Sequence, residues 1–512
     1  MIKPDDQFTS EVMPSYFCWN GNRAVVGEEA RQMMSDERFQ VIRCVKRFMK
    51  AGRNHLFESG RRHFNPVDVS SHYLKYLKSR AEQQLQLDSG ALSGLVVTVP
   101  AYFGHDERMF TRQAAVDAGF ASEQVHLLDE PIAAAYGLRL HQQPGAKLVM
   151  VVDLGGGTLD VTLLLVGASV AEEVEGPDGK KSIYQGMYEL GREGDPKLGG
   201  DCWDRVIAKL LMFNKKLERN HEFLDYTNVF LYDACELAKR RFAESVITKQ
   251  QVSFLDNVSK EIVSVDIGLE QYIRSSDYLV KRCGLICSRL FMSIPQEEVE
   301  RVYRYRTSFL GRFWKSTPRE LTWQDVDQIC LVGGGSKLPQ FKQCIADYWG
   351  KQPTVASYPQ HQVAYGAGLI GYDVSRNSDF FERMLLRSPY SYGYYFYRNG
   401  PGSKPEFYPL IHRNQRVPVQ VTHEVKVIGD PKAKAFKLEI LEERDSFPED
   451  FSNETEREYR LLGRIVISDL PNAASSKTEF ATIVLQYYSD REMSIAAKFR
   501  GKDVKVDLNI GS

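Results

Sequence analysis

The stretch that most constrains what this chain can fold into is VVDLGGGTLDVTLL, residues 151–164, with three consecutive glycines between two apolar runs. Residues 148–152 and 161–166 read as buried strands, so the glycines turn one strand into the next. Consecutive glycines let backbone N–H groups converge on an anion, usually a phosphate. A dinucleotide fingerprint runs from a strand into a helix, and this stretch runs from strand to strand, which excludes that class. A tight hairpin without ligand is the plain alternative. Asp153 and Thr158 favour the phosphate reading. They flank the turn where a carboxylate can hold a hydrated metal ion and a hydroxyl can meet a phosphate oxygen.

Bulk properties narrow the class. The chain has 512 residues, 43% apolar and 26% charged, with a net charge of −1. That length supports two to four domains. Near-neutral charge argues against a dedicated nucleic-acid binder. No apolar run approaches the roughly 20 residues of a membrane span, and the opening MIKPDDQFTSE is not a signal peptide. The eight cysteines include no Cys-x-x-Cys pair, and Cys283 and Cys287, one helical turn apart, read as core residues. A reducing, cytoplasmic compartment fits that usage.

Strand and helix signals alternate along the first two-thirds. NPVDVSSHYLKYLKSRAEQQL predicts a helix capped by Asn65 and opened by Pro66, with Val69, Tyr73 and Leu77 on one face. GLVVTVPAYFG predicts a buried strand stopped by Pro100, DERMFTRQAAVDAGF a helix, and VHLLDEPIAAAYGL a second strand and helix. A polar stretch follows the glycine hairpin, then a long helical region from about 202 to 245. VDQICLVGGGSKLPQFKQCIADYW is strand, glycine turn and helix, with Pro339 opening the helix. This alternation predicts a layered α/β region. Beyond about residue 385, segments such as VPVQVTHEVKVIG, AFKLEILEE and EFATIVLQYY predict an all-β domain. RVYRYRTSFLGRFWKS (301–316) is basic and aromatic, but a helix packed on the α/β region accounts for it better than RNA stacking.

The motifs VVTVPAYF, LLDEPIAAAYGL, DLGGGTLDVTLL, LGGDCWDRVI, CELAKRRF and LVGGGSKLP…VAYGAG occur in an order that resembles the 70-kDa heat-shock protein chaperones. The resemblance spans nearly the whole chain. It implies an α/β actin-like (ribonuclease H-like) nucleotide-binding domain over 1–378, an apolar linker over 379–390 and an all-β sandwich over 391–512. It implies ATP or ADP with Mg2+ as cofactors. Lys46 is similar to the lysine that positions the attacking water, and Glu130 to a glutamate near the metal's water shell. Asp153 and Thr158, with Gly155, Gly156 and Gly157, match a phosphate loop, and Asp160 follows in register. Gly199, Gly200 and Asp201 match a stretch over the nucleotide. Glu236, Lys239 and Arg240 share one helix face by spacing, which in the family sandwiches the adenosine. Gly333, Gly334 and Gly335 match a third glycine turn, with Lys337 where the family has an arginine over the base; an ammonium stacks less well on a purine. Pro100 and Arg108 match the pair that couples the nucleotide site to the substrate domain.

The chain also departs from the family. The family's first phosphate hairpin has no counterpart, which points to a chain that starts upstream or to a weakened site with an open sheet edge. His126, Asp129 and Ile132 stand at the surface where family members meet J-domain partners. Arg387 replaces a linker aspartate, the loop YRNGPGSKPEF is long and polar, and the helical lid is missing. The expected function is an ATP-dependent chaperone that binds unfolded or extended peptide, with J-domain cochaperone and exchange factor as partners and neither nucleic acid nor membrane. The expected chemistry is in-line attack of water on the γ-phosphate. The alternative is a non-hydrolysing nucleotide-binding scaffold; a small-molecule kinase of the same superfold is disfavoured by the β-sandwich and linker.

Overall fold

In the computed structural model the described residues are 12–508, apart from 37, 93, 176–180, 216–228, 245–246, 256–260, 308–319, 377–385, 397–403, 428–434, 447–455, 469, 471–478 and 489–492. Most of the expected linker and most of the loop 397–407 therefore lie outside the described residues.

The N-terminal part begins with β1 (Tyr16–Trp19), β2 (Ala24–Val26) and β3 (Val41–Arg43), an antiparallel sheet in the order β2-β1-β3. A 3-10 stretch, Val45–Asn54, follows and carries Lys46 and Arg47. Helix α1 (Pro66–Gln84) starts where its cap places it. Asn65 Oδ1 accepts from the Asp68 backbone N–H at 3.0 Å, and the Asp68 carboxylate accepts from the Asn65 N–H at 3.1 Å, which satisfies two end donors. Val69 is buried as expected, whereas Leu77 is exposed because the middle of the helix lies only half-covered. Strands β4 (Leu95–Val99) and β5 (Val125–Asp129) pair in parallel around α2 (His105–Asp117), and β5 runs directly into α3 (Glu130–Gly137). Only Val99 of β4 is fully buried, against expectation; among the described residues β4 pairs with β5 alone.

The glycine hairpin builds the next sheet. β6 (Lys147–Leu154), β7 (Leu159–Glu175) and β8 (Lys181–Asp195) run antiparallel. The second part of the polar stretch read after the hairpin is thus a strand. Alternate residues of β6 enter two cores, Leu148, Met150 and Val152 on one face and Val149 and Val151 on the other, so a doubly covered strand reads as one apolar run. Helices α4 (Gly200–Lys215) and α5 (Val229–Glu244) follow, then the hairpin β9 (Lys249–Leu255) and β10 (Ile262–Gly268). Helix α6 (Leu269–Met292) buries Cys283 and Cys287 as expected. Helix α7 (Gln296–Thr307) packs Val299 and Val302 into the same core, the packed-helix reading of residues 301–307. Strand β11 (Gln328–Val332), helix α8 (Pro339–Trp349) and strand β12 (Thr354–Val355) complete the sheet β8-β7-β6-β11-β12. Helix α9 (Gln362–Arg376) then crosses back onto α3. A Cβ at Gly366 would lie 1.7 Å from the Ala133 carbonyl oxygen, and one at Gly137 2.4 Å from that of Gln362, so both positions require glycine.

The last part is antiparallel β. Strands β13 (Leu386–Arg387), β14 (Ser391–Phe396), β15 (Glu406–Ile411), β16 (Arg416–Val417), β17 (Val419–Val427), β18 (Phe436–Ser446), β19 (Glu456–Ile467), β20 (Glu479–Tyr487), β21 (Met493–Phe499), β22 (Lys502–Asp503) and β23 (Lys505–Leu508) follow. They form a five-stranded sheet β15-β14-β18-β19-β23, a four-stranded sheet β17-β20-β21-β22 and the pair β13-β16. Tyr392 and Ile440 from one sheet and Ile483, Leu485 and Tyr487 from the other share a core. A mixed α/β region followed by antiparallel β is the fold class expected.

Buried arginines join the two regions. Arg444 on β18 donates two bonds to Glu107 on α2, at 2.6 and 2.8 Å, and also pairs with Glu442. Arg460 pairs with Asp106. Arg387, 1% exposed, bonds the Glu189 carbonyl oxygen at 3.0 Å, that of Asn414 at 2.7 Å, and pairs with Glu298 at 2.5 Å. Arg416 reaches the same glutamate at 3.1 Å. A residue expected in a linker is thus fully buried among counter-charges.

Candidate functional site

Asp153, next to last in β6, is paired with Asp160 of β7 in the hairpin register. The turn closes with the Gly155 N–H donating to the Thr158 carbonyl oxygen at 3.0 Å. None of Gly155, Gly156 and Gly157 has φ in the left-handed region, so the turn's backbone does not demand glycine. Space does. A Cβ on Gly157 would lie 3.0 Å from Arg47 Nε, whereas one on Gly156 would meet nothing within 4 Å. The crest of the turn is open.

Two more glycine turns close on the first. A Cβ at Gly199 would lie 2.2 Å from the Gly157 carbonyl carbon, and the Gly200 and Asp201 N–H groups donate to the Gly155 and Gly156 carbonyl oxygens at 2.9 and 2.8 Å. Strand β11 pairs with β6 so that Val332 lies beside Asp153. Gly333, at φ +78°, brings its backbone so close that a Cβ would meet Asp153 Oδ1 at 2.2 Å, and a Cβ at Gly335 would strike Leu154. Gly334 is unobstructed. The three turns expected at the nucleotide therefore converge on the hairpin that carries Asp153.

Carboxylates gather under them. Glu130 opens α3 and pairs with Lys46. Burial, with the charge of Glu130 added and Lys46 opposing, pushes the Asp153 carboxyl up to about 7. Burial and the charges of Glu130 and Asp153 push Asp160 well above its ordinary range, although its Oδ1 accepts from the Ala101 N–H at 2.7 Å. Thr158 is buried beside them. Among the described residues no three His, Cys, Asp or Glu side chains converge to hold a metal ion directly. Hard oxygen donors fit an Mg2+ that keeps its waters, and Asp153 and Glu130 are the residues that would face such an ion.

A profile of the Hsp70 protein family matches residues 50–303 and 317–499. The chain belongs to the Hsp70 family. It is 26% identical over 529 residues, 99% of this chain and 74% of the relative, to the chaperone protein HscA homolog of Pseudoalteromonas atlantica. It is 27% identical over 365 residues, 70% of this chain and 53% of the relative, to the chaperone protein DnaK of Metamycoplasma hominis. The HscA homolog of Haemophilus influenzae is 27% identical over 450 residues, 87% of this chain and 60% of that protein.

Other positions expected from the Hsp70 pattern are divided by the structure. Lys239 turns inward, donating to the Gly200 carbonyl oxygen at 3.0 Å and to Asp204 at 2.9 Å. Glu236 and Arg240 pair with each other at 2.5 Å on a more open face. Lys337 bonds Glu244 at 2.9 Å at the end of α5. Pro100 ends β4, and Arg108 pairs with Asp129 while its Nε donates to the Phe103 carbonyl oxygen at 2.8 Å. Arg192 joins that cluster through Asp129 and Glu189. Asp129 and Ile132, expected at the surface, are 1% and 2% exposed; Arg108 and Arg192 cover the carboxylate and the α3 packing covers the isoleucine. Only His126 of those three is partly exposed. Arg47 was not singled out by the sequence, yet it reaches the Gly157 carbonyl oxygen at 3.1 Å and Asp201 at 3.2 Å. Its neighbour Lys46 was the only signal.

Proposed function

We propose that this Hsp70-family chain binds ATP and ADP with Mg2+ at the convergence of the three glycine turns, and that hydrolysis there controls its hold on extended peptide. The convergence of the three turns on the hairpin of Asp153 is the observation that carries the reading. Gly156 and Gly334 leave room for a ligand, Thr158 offers a hydroxyl to a phosphate oxygen, and the Asp153–Glu130 pair supplies charge for a hydrated cation. Lys46 orients the attacking water. The division into 1–378, 379–390 and 391–512 draws support from α9 ending at Arg376 and β14 opening at Ser391, while the short strand β13 lies within 379–390. The β-sandwich takes extended peptide, and a J-domain cochaperone and an exchange factor are its proposed partners, a reading that family membership supports. A second reading, a scaffold that binds nucleotide without hydrolysis, draws on the Lys46–Glu130 ion pair, which ties up the amine that would orient the water.

Calorimetric titration with ATP, with and without Mg2+, tests the site; micromolar or tighter binding strengthened by Mg2+ is expected. Single-turnover hydrolysis of the parent and of Lys46→Ala then separates the readings. A chaperone ATPase loses turnover in the variant and keeps binding. No turnover by either protein selects the scaffold.

A further inference from the structure

The α/β and β regions meet on surfaces cut to each other. Helix α2 opens at Gly104, which has no side chain to cap it. The His105 N–H at that end donates instead to the Glu442 carboxylate of β18 at 3.3 Å. A Cβ at Gly104 would lie 2.3 Å from the Arg444 guanidinium and 2.7 Å from Glu442, so the glycine leaves room for the β region. Elsewhere at the junction the Arg387 N–H donates to the Glu189 carboxylate at 3.0 Å. Asn414 Oδ1 accepts from the Arg192 N–H at 3.3 Å, and its Nδ2 donates to Ser293 Oγ at 2.9 Å. The Tyr390 hydroxyl donates to the Tyr102 carbonyl oxygen at 2.5 Å. One apolar core includes Leu164 and Val166 of β7 together with Tyr390, Ile411 and Val417 of the β region.

From this we infer that the two regions stay joined with ATP, with ADP and with no nucleotide at all, and that Arg387 holds them in place. Charge pairs by themselves would not decide this, because ions released to water are rehydrated. The shared core does, since separation would expose it, and domains move freely across an interface only where it is small or polar. Arg387 then fixes which placement is kept. It is 1% exposed, and its guanidinium is divided between the Glu189 carbonyl oxygen and Glu298 on one side and the Asn414 carbonyl oxygen on the other. Its donors lie in a rigid plane, so the fork admits one arrangement of those partners. Any control that nucleotide exerts on peptide passes through this closed junction, by shifts inside each region, without release of one from the other.

Small-angle scattering and hydrogen exchange of the full chain, nucleotide-free, with ADP and with ATP, each in Mg2+, test this. The radius of gyration is expected to be the same in all three states, and exchange across 386–388 to agree within about twofold. Arg387→Asp sets a further carboxylate beside Glu189 and Glu298. It is expected to enlarge the particle and to speed exchange across 386–388 and 413–417 by roughly tenfold or more. Glu298→Gln keeps the shape and weakens the attraction, so it shifts both readings less in the same direction, and it carries the test if the aspartate variant does not fold. A parent that expands or loses protection in any of the three states overturns the inference, and so does an Arg387→Asp protein that scatters and exchanges like the parent. A parent that binds neither nucleotide yet stays compact and protected refutes the nucleotide site alone and leaves the junction standing.

Discussion

Two buried acidic clusters lie in the same molecule and are treated in opposite ways. Beneath the glycine turns, Glu130, Asp153 and Asp160 have one lysine among them, and burial drives the Asp153 carboxyl up to about 7. At the junction of the α/β and β regions, every named glutamate has an arginine. Burial works against the charge of Glu107, yet the Arg444 fork and Arg460 hold its carboxyl down at about 2. Burial alone therefore does not set the fate of a carboxylate; the supply of guanidinium does. The junction is neutralised from within the chain. The hairpin cluster is not neutralised in the same way.

The most disruptive way to break this contrast is to remove an arginine from the neutralised side. Arg387→Ala takes one arginine from buried Glu298 and the side-chain donor from the Glu189 and Asn414 carbonyl oxygens, and losing one partner of a buried pair costs about 3–5 kcal/mol. Scanning calorimetry should show the melting of the joined regions lowered or split; an unchanged single transition would show the junction to be incidental.

Next in size is the acid limb. The Glu107 carboxyl is depressed from 4.5 to about 2. Its contribution is thus fully present above pH 4.5 and lost as pH falls toward 2. Glu107→Gln should remove roughly 3 kcal/mol of pH-dependent stability across that window, read as a flattened curve of denaturation midpoint against pH.

The hairpin cluster should behave with the opposite sign. Asp153 rises from 3.8 to about 7, so its favourable contribution is complete below 3.8 and lost as pH climbs through 7. Without nucleotide, Asp153→Asn should stabilise the protein at pH 8 by on the order of 2 kcal/mol and change little at pH 4, while weakening Mg2+-dependent binding of ATP. Destabilisation at both pH values would erase the distinction between the clusters.

The smallest expected effect sharpens the contrast from the steric side. Gly156→Ala points a methyl into open space, so stability should shift by less than about 1 kcal/mol. If the proposed nucleotide site holds, its ATP affinity should nevertheless fall, because the methyl would stand on the open crest of the turn. Urea melts and titration of the same sample check both halves.

Much of this was legible in the chain. The glycine hairpin, the Asn65 cap, Pro339 at the start of α8 and the change to β patterning depend on neighbours a few residues away, and the structure has them as read. What was hidden depends on distant partners. The segment 181–195 looks polar because Glu189, Arg192 and Glu193 are charged, yet they pair across the fold and let Tyr188 and Leu190 enter the core as part of a strand. Asp129, Ile132 and Arg387 looked exposed for the same reason: a charge or a helix face discloses its cover only once the other elements are placed. Arg47 was invisible because its target is a backbone carbonyl more than a hundred positions away, and a carbonyl has no signature in sequence.

The crossing of α3 and α9 has a mechanical consequence. Where Gly366 meets Ala133 and Gly137 meets Gln362, main chain rests on main chain with no side chains between. Such a joint has no rotamers to readjust, so it cannot absorb the sliding of one helix along the other. A bulkier residue at either glycine would force the two helices apart rather than let them settle against each other.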